Sequence, residues 1–266
     1  MRYIPHTTAD VSEMLERVGV KNLEELFIEV PGSVRLKRPL DLPEAVSETE
    51  LLRELKLLAA NNATPSTHMS FLGGGAYHHF SPAAIDLLVS RGEFYTAYTP
   101  YQPEISQGTL QAIFEFQTMI CQLTGMDVAN ASMYDGASAC AEAVLMAVRL
   151  TRRKRVLLSR ALHPRYRATV ETYCLYLGLE LVDVAVADDG RTDRNDLAAK
   201  LDDATAAVGA GYPNYFGVIE DLAALSDLAH QAGARMVAAI AEPVALGLLK
   251  PPGELGADIV AGDGQS

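Results

Sequence analysis

The chain has 266 residues, 49% of them apolar and 21% charged, which suits one large globular domain or two small ones. Its formal net charge of -12 argues against a nucleic-acid partner, because phosphate binding needs a basic face. Three cysteines, Cys121, Cys140 and Cys174, stand singly inside apolar segments without metal-ligand spacing, so reduced and buried thiols are expected.

The N-terminus lacks an apolar signal core and no apolar run is long enough to span a membrane, so a cytoplasmic chain is expected. Val11, Met14, Leu15 and Val18 fall on one face of a helix beginning at Ala9. Val30 to Pro43 holds three prolines and reads as an extended connector, of the kind that wraps over a neighbour. Ser47-Glu-Thr-Glu50 is a capping box that opens a helix through Leu51, Leu52, Leu55 and Leu58. Gly73-Gly-Gly75 permits close backbone approach, but no strand precedes it, so it is no dinucleotide fingerprint. His78 and His79 are adjacent and point differently, so no metal is implied. Ser81-Pro82 starts a further helix.

Arg91 to Gly108 is the most informative stretch. It crowds Tyr95, Tyr98, Tyr101, Gln102 and Glu104 into a segment with two prolines, without helical or strand periodicity. Such a loop either meets a polar ligand or partner, or caps apolar surface with its rings. A long amphipathic helix then runs from Thr109 to Leu123 and stops at Gly125. Beyond it, strands at 155–159, 180–186, 206–211, 235–241 and 257–261 are interleaved with helices at 140–150, 165–177 and 221–232. The basic run Arg152-Arg-Lys-Arg155 suits a helix C-terminus. The alternation predicts an α/β fold, a mostly parallel sheet covered on both faces, with ligands at the carboxyl ends of its strands. The expected division is a helical and extended segment over 1–108 and an α/β domain over 109–266.

Three loops fall on that rim. Tyr134-Asp-Gly-Ala-Ser138 feeds a helix and offers either an anion site or, through Asp135 and Ser138, a cap without a ligand. His163 is placed to stack on a planar cofactor, or simply to begin a helix. Tyr212-Pro-Asn-Tyr-Phe-Gly217 completes the rim of a pocket, or the remnant of one.

Several motifs carry a resemblance. Phe71-Leu-Gly-Gly-Gly-Ala-Tyr77, the whole of Gly92 to Gly108, Asn130-Ala-Ser-Met-Tyr-Asp-Gly136, Pro213 to Asp221 and Gly247 to Glu254 resemble the P-protein of the glycine cleavage system. More narrowly, they are similar to subunit 1, the N-terminal half where the enzyme is split into two chains. The resemblance implies a fold-type I, pyridoxal-phosphate-transferase architecture with a large domain preceded by the helical segment. It implies glycine decarboxylation with pyridoxal phosphate as electron sink, and transfer of the aminomethyl group to the lipoyl arm of H-protein. It also places the cofactor and its lysine in subunit 2.

The six lysines are Lys21, Lys37, Lys56, Lys154, Lys200 and Lys250, and none follows the last strand. Ser266 stands about where the resemblance would put the catalytic lysine, and serine forms no imine. Glu242 stands near the place of the pyridinium-binding aspartate. His163, Ser138, Glu242 and Ser266 thus make a degenerate pocket that binds no cofactor, and the chain is expected to be inactive alone. Tyr95, Tyr98, Tyr101, Gln102 and Glu104 are expected to line the partner's active site. The family continues past residue 266, which reads as a C-terminal truncation that leaves a sheet edge uncovered. The rival readings are a self-sufficient, aminotransferase-like pyridoxal-phosphate enzyme, and a scaffold with no role at the active site.

Overall fold

Thr205–Gly211 is buried at every position, and so are Val156, Leu157 and Leu158 in succession. A strand with no exposed face needs a covering layer on each side. The computed structural model describes residues 5–74 and 77–264, and it supplies both layers. Five strands, β1 (Arg155–Ser159), β2 (Glu180–Val184), β3 (Thr205–Gly211), β4 (Arg235–Ile240) and β5 (Ile259–Gly262), form one sheet in the order β2-β1-β3-β4-β5. Every pairing is parallel, with Leu157 opposite both Val182 and Val208, and Ala238 opposite Val260.

Successive strand side chains point to opposite faces, and the two cores divide accordingly. Val156, Leu158, Ala207, Val237 and Ala239 pack with Cys140 and Val144 of α6 (Gly136–Thr151) and with Val170 and Cys174 of α7 (Pro164–Leu175). Leu157, Val208, Met236 and Ala238 pack with Leu197 of α8 (Arg194–Lys200) and with Leu222 and Leu225 of α9 (Leu222–Gln231). Each fully buried leucine contributes about 1.5–3 kcal/mol relative to exposure. The chain goes from β1 outward to β2 and returns to β3 on the other side of β1, so the strand order reverses between β1 and β3. That is where a parallel sheet opens a crevice at its carboxyl edge.

Two compact units are present, Met1–Ala63 and Thr64–Ser266. The first contains α1 (Thr8–Val18) and α2 (Glu48–Ala59), each opened by a capping box, Thr7 with Asp10 and Ser47 with Glu50. The second begins with α3 (Ala83–Val89), α4 (Gly92–Tyr95) and α5 (Gln107–Thr124), the last closed by Gly125 in the left-handed region.

Several expectations need correction. The tyrosine-rich stretch is not wholly irregular, since Gly92–Tyr95 makes one helical turn with the Thr96 hydroxyl bound to the Gly92 carbonyl at 2.6 Å. The first helix of the α/β region starts at Gly136 rather than 140, because Asp135 caps it. The second strand ends at Val184, and only an isolated bridge joins Val186 to Thr192. The last strand is Ile259–Gly262 rather than 257–261. Helix α8 was not anticipated. Cys140 and Cys174 are buried as expected, but Cys121 is only half-buried. Burial pushes the Cys140 thiol up to about 12, which leaves it unreactive. The basic run serves the fold: Arg153 donates to the Thr205 and Ala232 carbonyls at 3.0 and 2.8 Å, and Arg155 pairs with Glu180 and Asp202. No helix among the described residues is long and apolar enough to cross a membrane.

Candidate functional site

A buried polar knot holds the crevice between β1 and β3. Ser159 ends β1, and its hydroxyl lies 2.7 Å from the Thr192 hydroxyl. Thr192 donates its backbone N–H to both oxygens of Glu220 at 3.0 Å, and its hydroxyl to one of them at 2.8 Å. Asn214, in the loop after β3, donates to the same Glu220 at 2.9 Å and to the Gly190 carbonyl at 2.9 Å. Its side-chain oxygen accepts from the N–H groups of Phe216 and Val218. Glu220 is buried, and its carboxylate is matched by three donors, the arrangement that makes a buried charge tolerable. The two rim loops are thereby locked together, and the Tyr215 N–H adds a bond to the Ala161 carbonyl at 2.8 Å.

The loop after β1 carries His163, which begins α7 as its cap. Its Nδ1 accepts from the Arg165 N–H at 3.1 Å, so Nδ1 carries no proton and Nε2–H donates to the Gly74 carbonyl at 3.0 Å. Gly73 and Gly74 both have positive φ, +61° and +76°, and this turn delivers that carbonyl. Nothing crowds Gly74, so the glycines serve the turn rather than a close approach. Gly75, the third of the run, lies outside the described residues. The His163 ring meets Tyr215 edge-on at 5.1 Å between centroids and Tyr166 tilted at 5.4 Å. The imidazole is held by its own chain on both nitrogens and by two rings.

At the start of α6, both carboxylates are intramolecular. The Asp135 side chain accepts from the Ser138 N–H at 2.8 Å and from its hydroxyl, and these bonds hold the carboxyl below its usual range. The cap alternative for Asp135 and Ser138 is the one observed. Asp263, just past β5, accepts from the Gly136 N–H at 2.9 Å and from the buried Tyr166 hydroxyl. Glu242 follows β4 and caps a short 3-10 turn by accepting from the Val244 N–H at 3.1 Å. Ser266 lies outside the described residues.

These residues do not fit a pyridoxal-phosphate site. Among the described residues no lysine follows the carboxyl end of β5. Lys154 precedes β1, Lys250 is exposed on the way back to the amino end of β5, and Lys200 binds the Asp183 carbonyl and Asp196. Lys21, Lys37 and Lys56 belong to the 1–63 unit. The start of α6, a rim helix terminus of the kind that holds a phosphate, holds two carboxylates instead. Nor do three or more His, Cys, Asp or Glu gather to hold a metal among the described residues.

The tyrosine stretch is a different kind of surface. Tyr95, Tyr98 and Tyr101 are 82%, 81% and 78% exposed, and Gln102 and Glu104 are exposed as well. Tyr98 and Tyr101 stand 6.4 Å apart at 50°. None of the three hydroxyls has a hydrogen-bond partner among the described residues. The turn before them is pinned by an Arg91–Glu93 pair at 2.8 Å, which holds the Glu93 carboxyl down to about 2.

Tyr166, Asp263, Asn214 and Glu220 had no role in the sequence reading, although all but Asp263 lie inside segments read there. Gly136 opens α6 without positive φ, and its place between Tyr166 and Asp263 is visible only in the fold. An ideal Cβ there would lie 2.0 Å from the Tyr166 hydroxyl oxygen and 2.7 Å from an Asp263 carboxylate oxygen.

The family profile described as "Glycine cleavage system P-protein" matches residues 1–266. The chain is 53% identical over 264 residues to a probable glycine dehydrogenase (decarboxylating) subunit 1 of Brevibacillus brevis, covering 99% of this chain and 58% of that one. It is 54% identical over 266 residues to the protein of the same name from Anaeromyxobacter dehalogenans, covering 100% and 59%. A crystal structure of glycine decarboxylase (P-protein) of the glycine cleavage system, in inhibitor-bound form, superposes with a TM-score of 0.87 at 49% identity, over 100% of this chain and 59% of that one. Mouse CSAD shares the fold at 17% identity, with a TM-score of 0.63 over 91% of this chain and 54% of that one. The architecture is the α/β, fold-type I one that the sequence motifs implied. The chain spans just under three fifths of the length of the relatives it matches. Full-length agreement in profile, sequence and backbone makes the chain a member of the glycine cleavage system P-protein family.

Proposed function

We propose that this chain is the non-catalytic, subunit 1-type part of a glycine-decarboxylating P-protein. Its partner is a subunit 2-type chain that carries pyridoxal phosphate, acts on glycine and passes the aminomethyl group to the lipoyl arm of H-protein. The chemistry supplied by that cofactor, withdrawal of electrons as carbon dioxide leaves, belongs to the partner, and this chain contributes surface and positioning. The observation that carries the reading is the contrast between two sites. At the sheet's carboxyl edge the start of α6 is bonded by the chain's own Asp263 and Asp135, whereas the tyrosine stretch presents three rings to solvent, their hydroxyls without a hydrogen-bond partner among the described residues.

A loop of this kind suits a neighbour's active site. Tyr95, Tyr98, Tyr101 and Gln102 supply donors for a substrate carboxylate, and Glu104 an acceptor for an ammonium group. Stiff two-torsion tyrosines lose little entropy on docking.

The test is kinetic, on the pair reconstituted from both chains. Tyr98→Phe is expected to lower kcat/KM for glycine–bicarbonate exchange about tenfold, the loss of one hydrogen bond made at the site. Unchanged kinetics for Phe at 95, 98 and 101 together would favour the scaffold reading.

A further inference from the structure

The start of α6, Tyr166 and the end of β5 meet in a clasp that the proposed function leaves without a purpose. The Asp263 N–H is bound to the Ile240 carbonyl at 3.0 Å, which fixes the root of its side chain. One carboxylate oxygen accepts from the Gly136 N–H at 2.9 Å, the other from the Tyr166 hydroxyl. Gly136 leaves room for both and for nothing larger. Burial, and then the bond to Asp263, raises the Tyr166 phenol well above its usual range, so it remains a donor. On the other side of the same turn, Asp135 takes the Ser138 N–H and hydroxyl.

We propose that Asp263 is the chain's own counter-ion for α6, occupying the helix terminus that a cofactor phosphate would need and closing this half of the fold to phosphate esters. The exposed N–H groups and partial positive charge of a helix N-terminus attract one anion. A carboxylate tethered in place outcompetes a free phosphate through its effective concentration. A phosphate arriving beside two carboxylates also meets like charge at close range. The inference rests on the reading that this chain's pocket carries no cofactor. Its test reads phosphate binding and not turnover, so its failure leaves the role of the tyrosine loop standing.

The experiment follows thermal unfolding of the full chain against inorganic phosphate, with chloride balancing ionic strength. The natural chain is expected to show no phosphate-specific shift. Asp263→Gly is expected to unfold at lower temperature and to regain about 3 °C at tens of millimolar phosphate, since a ligand that binds only the folded state raises Tm. A rise equally steep in the natural chain, or no phosphate response in the variant, overturns the proposal. Should Asp263→Gly fail to fold, Asp263→Asn decides in the same way. A phosphate-dependent rise absent from the natural chain supports the counter-ion, and a response no larger than the natural chain's overturns it.

Discussion

Gly136 joins two residues that the sequence keeps far apart, Tyr166 and Asp263, which are 97 positions from one another. Chain-local patterns see periodicity, caps and turns, and they have no access to a pairing across that distance. For this reason the motif around Asp135 and the stretch after Ile259 were both read, while the contact between them was not. Crowding at Gly136 gives a direct prediction. Gly136→Ala must displace the Tyr166 hydroxyl or the Asp263 carboxylate, and it is expected to cost about 2–3 kcal/mol. Gly247→Ala, with no atom within 4 Å of the added Cβ, is expected to be close to neutral. Urea midpoints of the two variants check this contrast.

Asp258 supplies a second residue-scale prediction. Burial pushes its carboxyl upward, but the Met236 N–H, His230 and Arg235 together outweigh burial and leave it below the usual range. A depressed carboxylate contributes stability above the unfolded value, about 3.9, and loses it as pH falls through the folded value. The natural chain is therefore expected to lose stability below about pH 4 more steeply than Asp258→Asn, which lacks this linkage. Unfolding midpoints from pH 6 down to pH 3 report the difference in slope.

At the scale of elements, the sheet was legible and its ends were not. Short apolar runs such as Val156-Leu157-Leu158 and Met236 to Ile240, alternating with helical segments, suit buried parallel strands, and the structure makes them so. Boundaries follow from caps and hydrogen bonds. Gly136-Ala-Ser138 looks like a turn until the Asp135 cap is seen, and α8 is short enough to pass for loop. The rim loops were placed at the carboxyl edge, yet the Ser159–Thr192–Glu220–Asn214 knot that sets their shape joins three separate segments. Removing its centre is expected to be costly. Glu220→Ala leaves the donors of Thr192 and Asn214 unsatisfied in a buried site, which costs about 3 kcal/mol. It should also speed hydrogen exchange at 160–163 and 212–218, the loops that the knot holds, before the rest of the sheet responds. Uniform acceleration across the sheet would place Glu220 in global stability alone.

On the scale of the whole molecule, the buried α/β core lies beside a tract that leaves large apolar side chains in solvent. Phe71, Leu72, Phe80 and Ile105 are exposed together with the three tyrosines. Under the proposed function this exposed tract is the surface that meets the partner chain. Backbone amides from 94 to 106 are expected to gain protection when the subunit 2-type chain is added, and those of β1 and β3 to remain as they were. The family motifs made that reading available from sequence, since the tyrosine stretch is long and specific. The meeting of Asp263 with Gly136 and Tyr166 needed the fold.

The central claim is that the cofactor chemistry lies in the partner. It is tested most directly by mixing the two chains with pyridoxal phosphate, reducing with borohydride and mapping the pyridoxyl-lysine adduct by mass spectrometry. The adduct is expected on a lysine of the partner and at no specific lysine of this chain. A single adduct on Lys21, Lys37, Lys56, Lys154, Lys200 or Lys250 of this chain, formed without the partner, would contradict it.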